Sequence, residues 1–334
     1  MKKYFTKMFS MAIESIPSKW IYNRFNNIVP IFMLHRLYCE DKNKKNNHLS
    51  HIEWCLSYLR KHKYKPISLD QLAYCYINKI PVEPKSVVFT IDDGFVDQYE
   101  VAGPLFSKYD IPLTYFVISD FLDGSLWPWD DQISYILQST TVECFNIILP
   151  GDKKLSFENN SEMLYNNKNM LRNEIKRVDQ TNLYTWLDYF YEEAKLDKPI
   201  TPPDCFKAMS WSNAQELINS GHKIAPHTKT HRILSKLSPE DSRIEIFKSN
   251  KRVKEMLNNS SNLFAYPTGR SIDYEKKDIR IVHQNKFDLA VTAEHDYFTM
   301  NEARYEIPRF SLPNNRFDFI QYLSFFEALK KVVR

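Results

Sequence analysis

SVVFTIDDG, residues 86–94, decides how the chain is read. Val87 to Ile91 are β-branched or aromatic throughout, the composition of a buried strand. The strand ends in two adjacent carboxylates, Asp92 and Asp93, and then Gly94. GFVDQYEVAGPLFSKYD follows with helical spacing, and IPLTYFVIS (111–119) is a second strand. Strand, helix and strand at this spacing form a βαβ unit, which implies a parallel sheet.

The same rhythm extends outward. IVPIFMLH (28–35) is a short buried strand, followed by a polar, exposed loop, DKNKKNNHLS (41–50). Helices are expected at 51–63 and 69–78. After a gap, a helix runs over 211–220 and ends at Gly221, followed by strand KIAPH (223–227). Ser238 and Pro239 are an N-cap and first-turn pair opening another helix, whose KSNKRVK run (248–254) is its exposed face. SNLFAYPTG, FDLAVTA (287–293) and EIPRFSL (306–312) carry further strands, and the last 20 residues form a terminal helix. Between about 121 and 208 the alternation breaks. WPWDDQISYIL and TWLDYFYEEA read as parts of a mostly helical insertion.

Composition bounds the function class. Hydrophobic residues make up 43% and charged residues 26%, ordinary for a soluble globular chain. A net charge of +4 over 334 residues shows no basic stripe and gives no support for nucleic-acid binding. The five cysteines are widely spaced and include no CxxC pair, which argues against a disulfide scaffold or a Cys-rich zinc site. Residues 1–27 mix lysines with Phe5, Phe9, Trp20 and Phe25 and read as an amphipathic helical arm. It either packs on its own domain or makes peripheral contact with an anionic membrane. Its apolar run is too short for a secretory signal, so a cytoplasmic location is expected.

The chemistry gathers at strand ends. Glycine is scarce, 6 in the chain, and two glycines sit where strands end: Gly94 after the carboxylate pair and Gly269 in YPTG. In parallel α/β barrels the C-terminal strand ends carry the active site. Adjacent buried carboxylates need partners, although Asp92-Asp93 alone also fits a helix N-cap beside a solvated neighbour. His227-Thr-Lys-Thr-His231 directly follows strand KIAP. Two histidines and one carboxylate form a hydrolytic metal set with an open position for water.

TIDDG, HTKTH and FAYPTG together resemble the three motifs of the NodB-type polysaccharide deacetylases, carbohydrate esterase family 4. The likeness covers about 28–120 and 208–312. It implies an α/β fold, a distorted (β/α) barrel of about seven units, with the domain spanning 28–334 around the insertion. It implies removal of N-acetyl groups from an N-acetylhexosamine-containing glycan or glycan precursor. Formyl or O-acetyl removal at the same site, or a non-catalytic carbohydrate-binding barrel, are the alternatives.

Transferred by motif, Asp93, His227 and His231 hold the metal, zinc by default, with cobalt, nickel or iron compatible. Asp92 is the base, and the backbone N–H of Thr268, in the turn with Tyr266, faces the oxyanion. The sequence departs from the family twice. Ala265 stands where an arginine usually orients the base, so Arg309 is the expected replacement, with Arg270 second. No histidine follows His295, so the usual late acid is missing. In a closed barrel the first strand lies beside the last, which makes His35 the candidate acid, with Glu294, His295 and Asp296 in reserve. Trp127 and Trp129, with Asp130 and Asp131, open the insertion and are candidates for stacking on sugar rings.

Overall fold

The computed structural model describes residues 27–37 and 47–325. The expected arm and its membrane contact fall almost wholly outside these residues, as does the end of the terminal helix. Among the described residues, no helix is long and apolar enough to cross a membrane.

The strands are β1 (Ile31–Leu34), β2 (Lys65–Pro66), β3 (Ser86–Asp93), β4 (Leu113–Val117), β5 (Cys144–Ile148), β6 (Lys154–Glu158), β7 (Lys223–Pro226), β8 (Leu263–Ala265), β9 (Leu289–Val291) and β10 (Phe310–Ser311). One parallel sheet runs β10-β1-β3-β4-β7, and β8 pairs with β9, also in parallel. The two sheets meet at both sides. The stretch before β10 pairs with β9 through the Val291–Ile307 bridge and the bonds Thr292 N to Ile307 O and Arg309 N to Glu294 O. On the other side Ser261 N donates to Ile224 O, 2.8 Å away, beside β7 and β8. The ring therefore comprises β1, β3, β4, β7, β8, β9 and β10. β1 pairs with β10 at Phe32–Phe310 and Met33–Ser311, so the first strand does lie beside the last.

Strand alternation sorts side chains into two layers. Ile31, Val88, Phe116, Ala225, Leu263, Ala265, Leu289, Val291 and Ile307 share one apolar cluster, which fills the ring. Their neighbours in the strands, including Phe32, Phe89, Leu113, Tyr115 and Ile224, pack outward under the helices. Asp92 has the inward parity of Val88 and Thr90, and Arg309 that of Ile307. Both polar groups therefore enter the ring at its C-terminal end.

Two local departures from the sequence reading have simple causes. The helix expected from 51 starts at Asn47, within the stretch read as loop. The insertion is mostly helical, with helices Trp129–Ser139, Leu164–Ile175 and Leu183–Glu193, but it also holds the antiparallel β5–β6 hairpin. Phe145 and Ile147 alternate with exposed residues in β5, and Gly151 (φ 83°) turns the chain back. That period of two lies inside a helical neighbourhood. The insertion has its own core of Phe145, Ile147, Leu171, Trp186 and Phe190, which continues into Phe95, Phe121 and Ile233 at the barrel rim.

Candidate metal and catalytic site

Asp93 breaks the alternation that would send neighbouring side chains apart. Its φ is 91°, followed by 95° at Gly94. A left-handed non-glycine residue costs on the order of 1–3 kcal/mol and persists where surroundings over-determine it. The turn brings Asp93 to the same end of the ring as Asp92. Gly94 adopts φ 95°, a conformation side chains rarely take, and a Cβ there would also press on Leu122 Cδ1, 2.7 Å away.

Asp93, His227 and His231 converge, with one ligand atom from each lying within 4.8 Å of the others. Asp93 Oδ1 is 3.7 Å from His227 Nε2 and 3.4 Å from His231 Nε2. His227 Nδ1 donates to Ala265 O at 2.8 Å, which leaves Nε2 with its lone pair toward Asp93. Burial lowers the pKa of both imidazoles, that of His227 to about 3, so they are neutral ligands at pH 7. Burial and the neighbouring carboxylates Asp92, Asp130 and Asp131 push Asp93 well above the usual carboxylate range. Asp93 Oδ1 is buried without a hydrogen-bond partner. An orphaned carboxylate oxygen facing two neutral imidazole nitrogens is a donor set that fits a divalent cation.

Asp92 is treated differently. Its two oxygens each lie 2.8 Å from a terminal nitrogen of Arg309. Arg309 also donates to Thr90 Oγ1 at 3.0 Å and, through Nε, to Thr292 O at 2.8 Å. Burial acts to raise the Asp92 pKa, but the Arg309 charge and hydrogen bonds outweigh it and bring it to about 2. Arg309, fully buried, thus stands where the sequence lacks the usual arginine. Arg270 does not, since it lies toward Glu294 at 3.6 Å on the surface.

His35 directly follows β1, and its side chain is solvent-accessible. Desolvation by the surrounding protein lowers its pKa, with the Asp92 charge opposing and the Arg309 charge assisting, so it shares the electrostatic field of the site. His295 is instead influenced by Arg270 and Glu294, near Ser311. Gln98, which the sequence reading passed over, ties these parts together. Its Nε2 donates to His35 O at 2.8 Å and Asp92 O at 2.5 Å, and its Oε1 accepts from Gly94 N at 3.2 Å. It begins a single π-helical turn, Gln98–Ala102, a distortion frequent at functional sites. Asp97 accepts from Leu37 N at 2.9 Å, which fixes the chain just beyond His35.

In the YPTG turn, Thr268 has φ 55°. Among the described residues its N–H makes no hydrogen bond, and its buried Oγ1 has no partner. The Tyr266 N–H bonds to Val291 O, and the Tyr266 ring is buried and stacked on Tyr274. Tyr266 therefore supports the turn and does not face a substrate. Gly269 is required here, because a Cβ would meet Ala293 N at 2.9 Å. The stacking expected of Trp127 and Trp129 is not met. They are 3% and 1% exposed, packed in the insertion core with neither face open. Asp130 and Asp131 pair with Arg172 and Arg36, at 2.8 and 3.6 Å.

A polysaccharide deacetylase family model matches residues 169–289. The match includes HTKTH and FAYPTG and leaves TIDDG outside. No curated protein sequence matches the chain. Among solved structures, the deacetylase PplD of Streptococcus pyogenes, in complex with acetate, is similar at 16% identity, with 90% of this chain and 99% of that one covered and a TM-score of 0.59. IcaB from Ammonifex degensii is similar at 17% identity, covering 89% and 97%, with a TM-score of 0.56. A de-N-acetylase from Aggregatibacter actinomycetemcomitans is similar at 14% identity, covering 89% and 100%, with a TM-score of 0.55. At these identities the likeness is one of fold. In its motifs, its ring of strands and the family match over residues 169–289, the chain is similar to the polysaccharide deacetylases of the NodB type.

Proposed function

We propose that the chain is a metal-dependent N-deacetylase of an N-acetylhexosamine in an envelope glycan or its precursor, of capsule or lipopolysaccharide type. The observation that carries this reading is the meeting of Asp93, His227 and His231 beside an Asp92 locked by Arg309. The acetate named with the Streptococcus pyogenes relative supports acetyl as the group removed.

Asp93, His227 and His231 would hold the cation, with zinc favoured by two imidazoles and one carboxylate. When bound, it supplies Lewis acidity and a more acidic water. Asp92, ionised far below neutral pH, takes a proton from the attacking water. Arg309 keeps the carboxylate oriented and ionised until it accepts that proton. The free N–H of Thr268 faces the developing oxyanion. His35, at the open edge of the ring, takes up a proton from solvent and, as imidazolium, delivers it to the departing amine.

The test is acetate release from nucleotide-linked, lipid-linked and polymeric N-acetylhexosamines, with and without chelator, with Asp92→Asn as control. Chelator-sensitive release from one class is the expected result. Release that survives both chelator and Asp92→Asn contradicts the reading.

A further inference from the structure

The loop joining the two histidines has a strained backbone, held from within by His231 N donating to Thr228 Oγ1 at 3.1 Å. Thr228 and His231 both have left-handed φ, 65° and 59°, although neither is glycine. Two left-handed residues persist where the surroundings over-determine them, so the bonds made to this loop from outside help set its shape. The barrel fixes one side. The buried Glu245 carboxylate accepts from Lys229 N at 3.0 Å and Thr230 N at 2.8 Å. The insertion fixes the other. Tyr184 Oη donates to Thr230 O at 2.7 Å, and Trp129 Nε1 donates to His231 O at 3.1 Å. Gln180, fully buried, accepts from Ile233 N through Oε1 at 2.7 Å. Arg232 joins the two sides, bonding Glu245 at 2.9 Å and Thr181 O at 2.9 Å.

We propose that the insertion is a clamp on the metal-holding loop, with Tyr184, Trp129 and Gln180 as positioning residues that set where His231 presents its imidazole. The insertion then does more than shape a groove. It determines how tightly the cation is held, although none of its residues is among Asp93, His227 and His231. The two carbonyls it grips belong to His231 and to the residue immediately before it. Ile233, just after, is packed into the insertion's own core. Loosening that core is thereby transmitted to one ligand, while His227 stays anchored to β4 and β8 through Val117 O and Ala265 O.

This proposal rests on the metal-dependent reading above, and its test separates the two. Zinc alone is titrated into the full chain, stripped of metal, against a chromogenic chelator. Thermal melts of the metal-free forms run alongside. Tyr184→Phe removes one hydroxyl, and Trp129→Phe removes one indole N–H. Trp186→Phe is the matched control, because its Nε1 donates to Ile148 O at 2.8 Å in the same core, away from the loop. Partners of metal ligands typically contribute about 10- to 100-fold to affinity. Tyr184→Phe and Trp129→Phe are expected to weaken zinc binding by about 10-fold or more. Trp186→Phe is expected to leave it unchanged at a comparable shift in melting temperature. Wild-type affinity in both loop variants, or an equal loss in Trp186→Phe, overturns the clamp. An unaltered chain that binds none of zinc, cobalt, nickel or iron overturns both this proposal and the functional reading.

Discussion

Arg309 and Asp92 meet fork to fork across 217 positions of sequence, with both N–O distances 2.8 Å and both side chains buried. The pair places a fixed, ionised carboxylate beside the Asp93, His227 and His231 cluster, the donor set proposed to hold a cation. Removing one partner of a buried ion pair strands the other and typically costs about 3–5 kcal/mol. Arg309→Met is therefore expected to destabilise the fold by about that amount. Asp92→Asn in the Arg309→Met background is expected to recover part of it. Denaturant melts of both single variants and the double variant measure the coupling. Strict additivity would show that the two side chains do not act as a unit.

His35 is expected to act on turnover and not on metal. His35→Ala should lower kcat by about 10²-fold or more, the usual scale for a lost general acid, with zinc affinity retained. Near-normal turnover would remove His35 from the mechanism and turn attention to His295.

Gln98 is expected to set the spacing between base and acid. Gln98→Met removes three hydrogen bonds at once and leaves the buried Asp92 carbonyl with one fewer donor. A lost buried partner costs about 1–3 kcal/mol. The kcat is expected to fall more than KM changes, with Gln98→Glu restoring less stability than the native amide. A rise in KM at unchanged kcat would show that Gln98 serves substrate binding instead.

The acid limb of the pH profile is expected to report metal occupancy. Asp92, with a pKa of about 2, stays ionised through the mildly acidic range and cannot supply that limb. As pH falls, protons compete with the cation for its ligands, first at Asp93, which is raised well above the usual carboxylate range, while burial keeps His227 and His231 neutral further into the acid. Raising the zinc concentration should therefore move the acid limb of kcat/KM to lower pH. A limb that stays fixed at every zinc concentration would assign it to another group.

The barrel was legible because its strands are apolar runs bounded by polar turns, and the site because Asp92, Asp93, His227 and His231 stand at strand ends. Arg309 could be named because an arginine was missing at Ala265 and the late strand segment IPRF supplied one; His35 because a closed ring sets the first strand beside the last. Trp127 and Trp129 misled because an aromatic cluster after a strand end resembles a sugar platform. Only packing shows that both rings lie inside the insertion core. Gln98 was invisible because its role consists of bonds to backbone atoms of residues 35, 92 and 94, and such bonds leave no pattern in side-chain type. The β5–β6 hairpin was passed over because its period of two is short and flanked by helical spacing.

Asp92→Asn, assayed for bound zinc and for acetate release on the same sample, tests the central claim most directly. The site described here requires one zinc per chain in the variant, held by Asp93, His227 and His231, together with loss of nearly all acetate release. A variant that keeps both zinc and activity would contradict Asp92 as the base. One that loses its zinc would contradict the division of labour between the two adjacent aspartates.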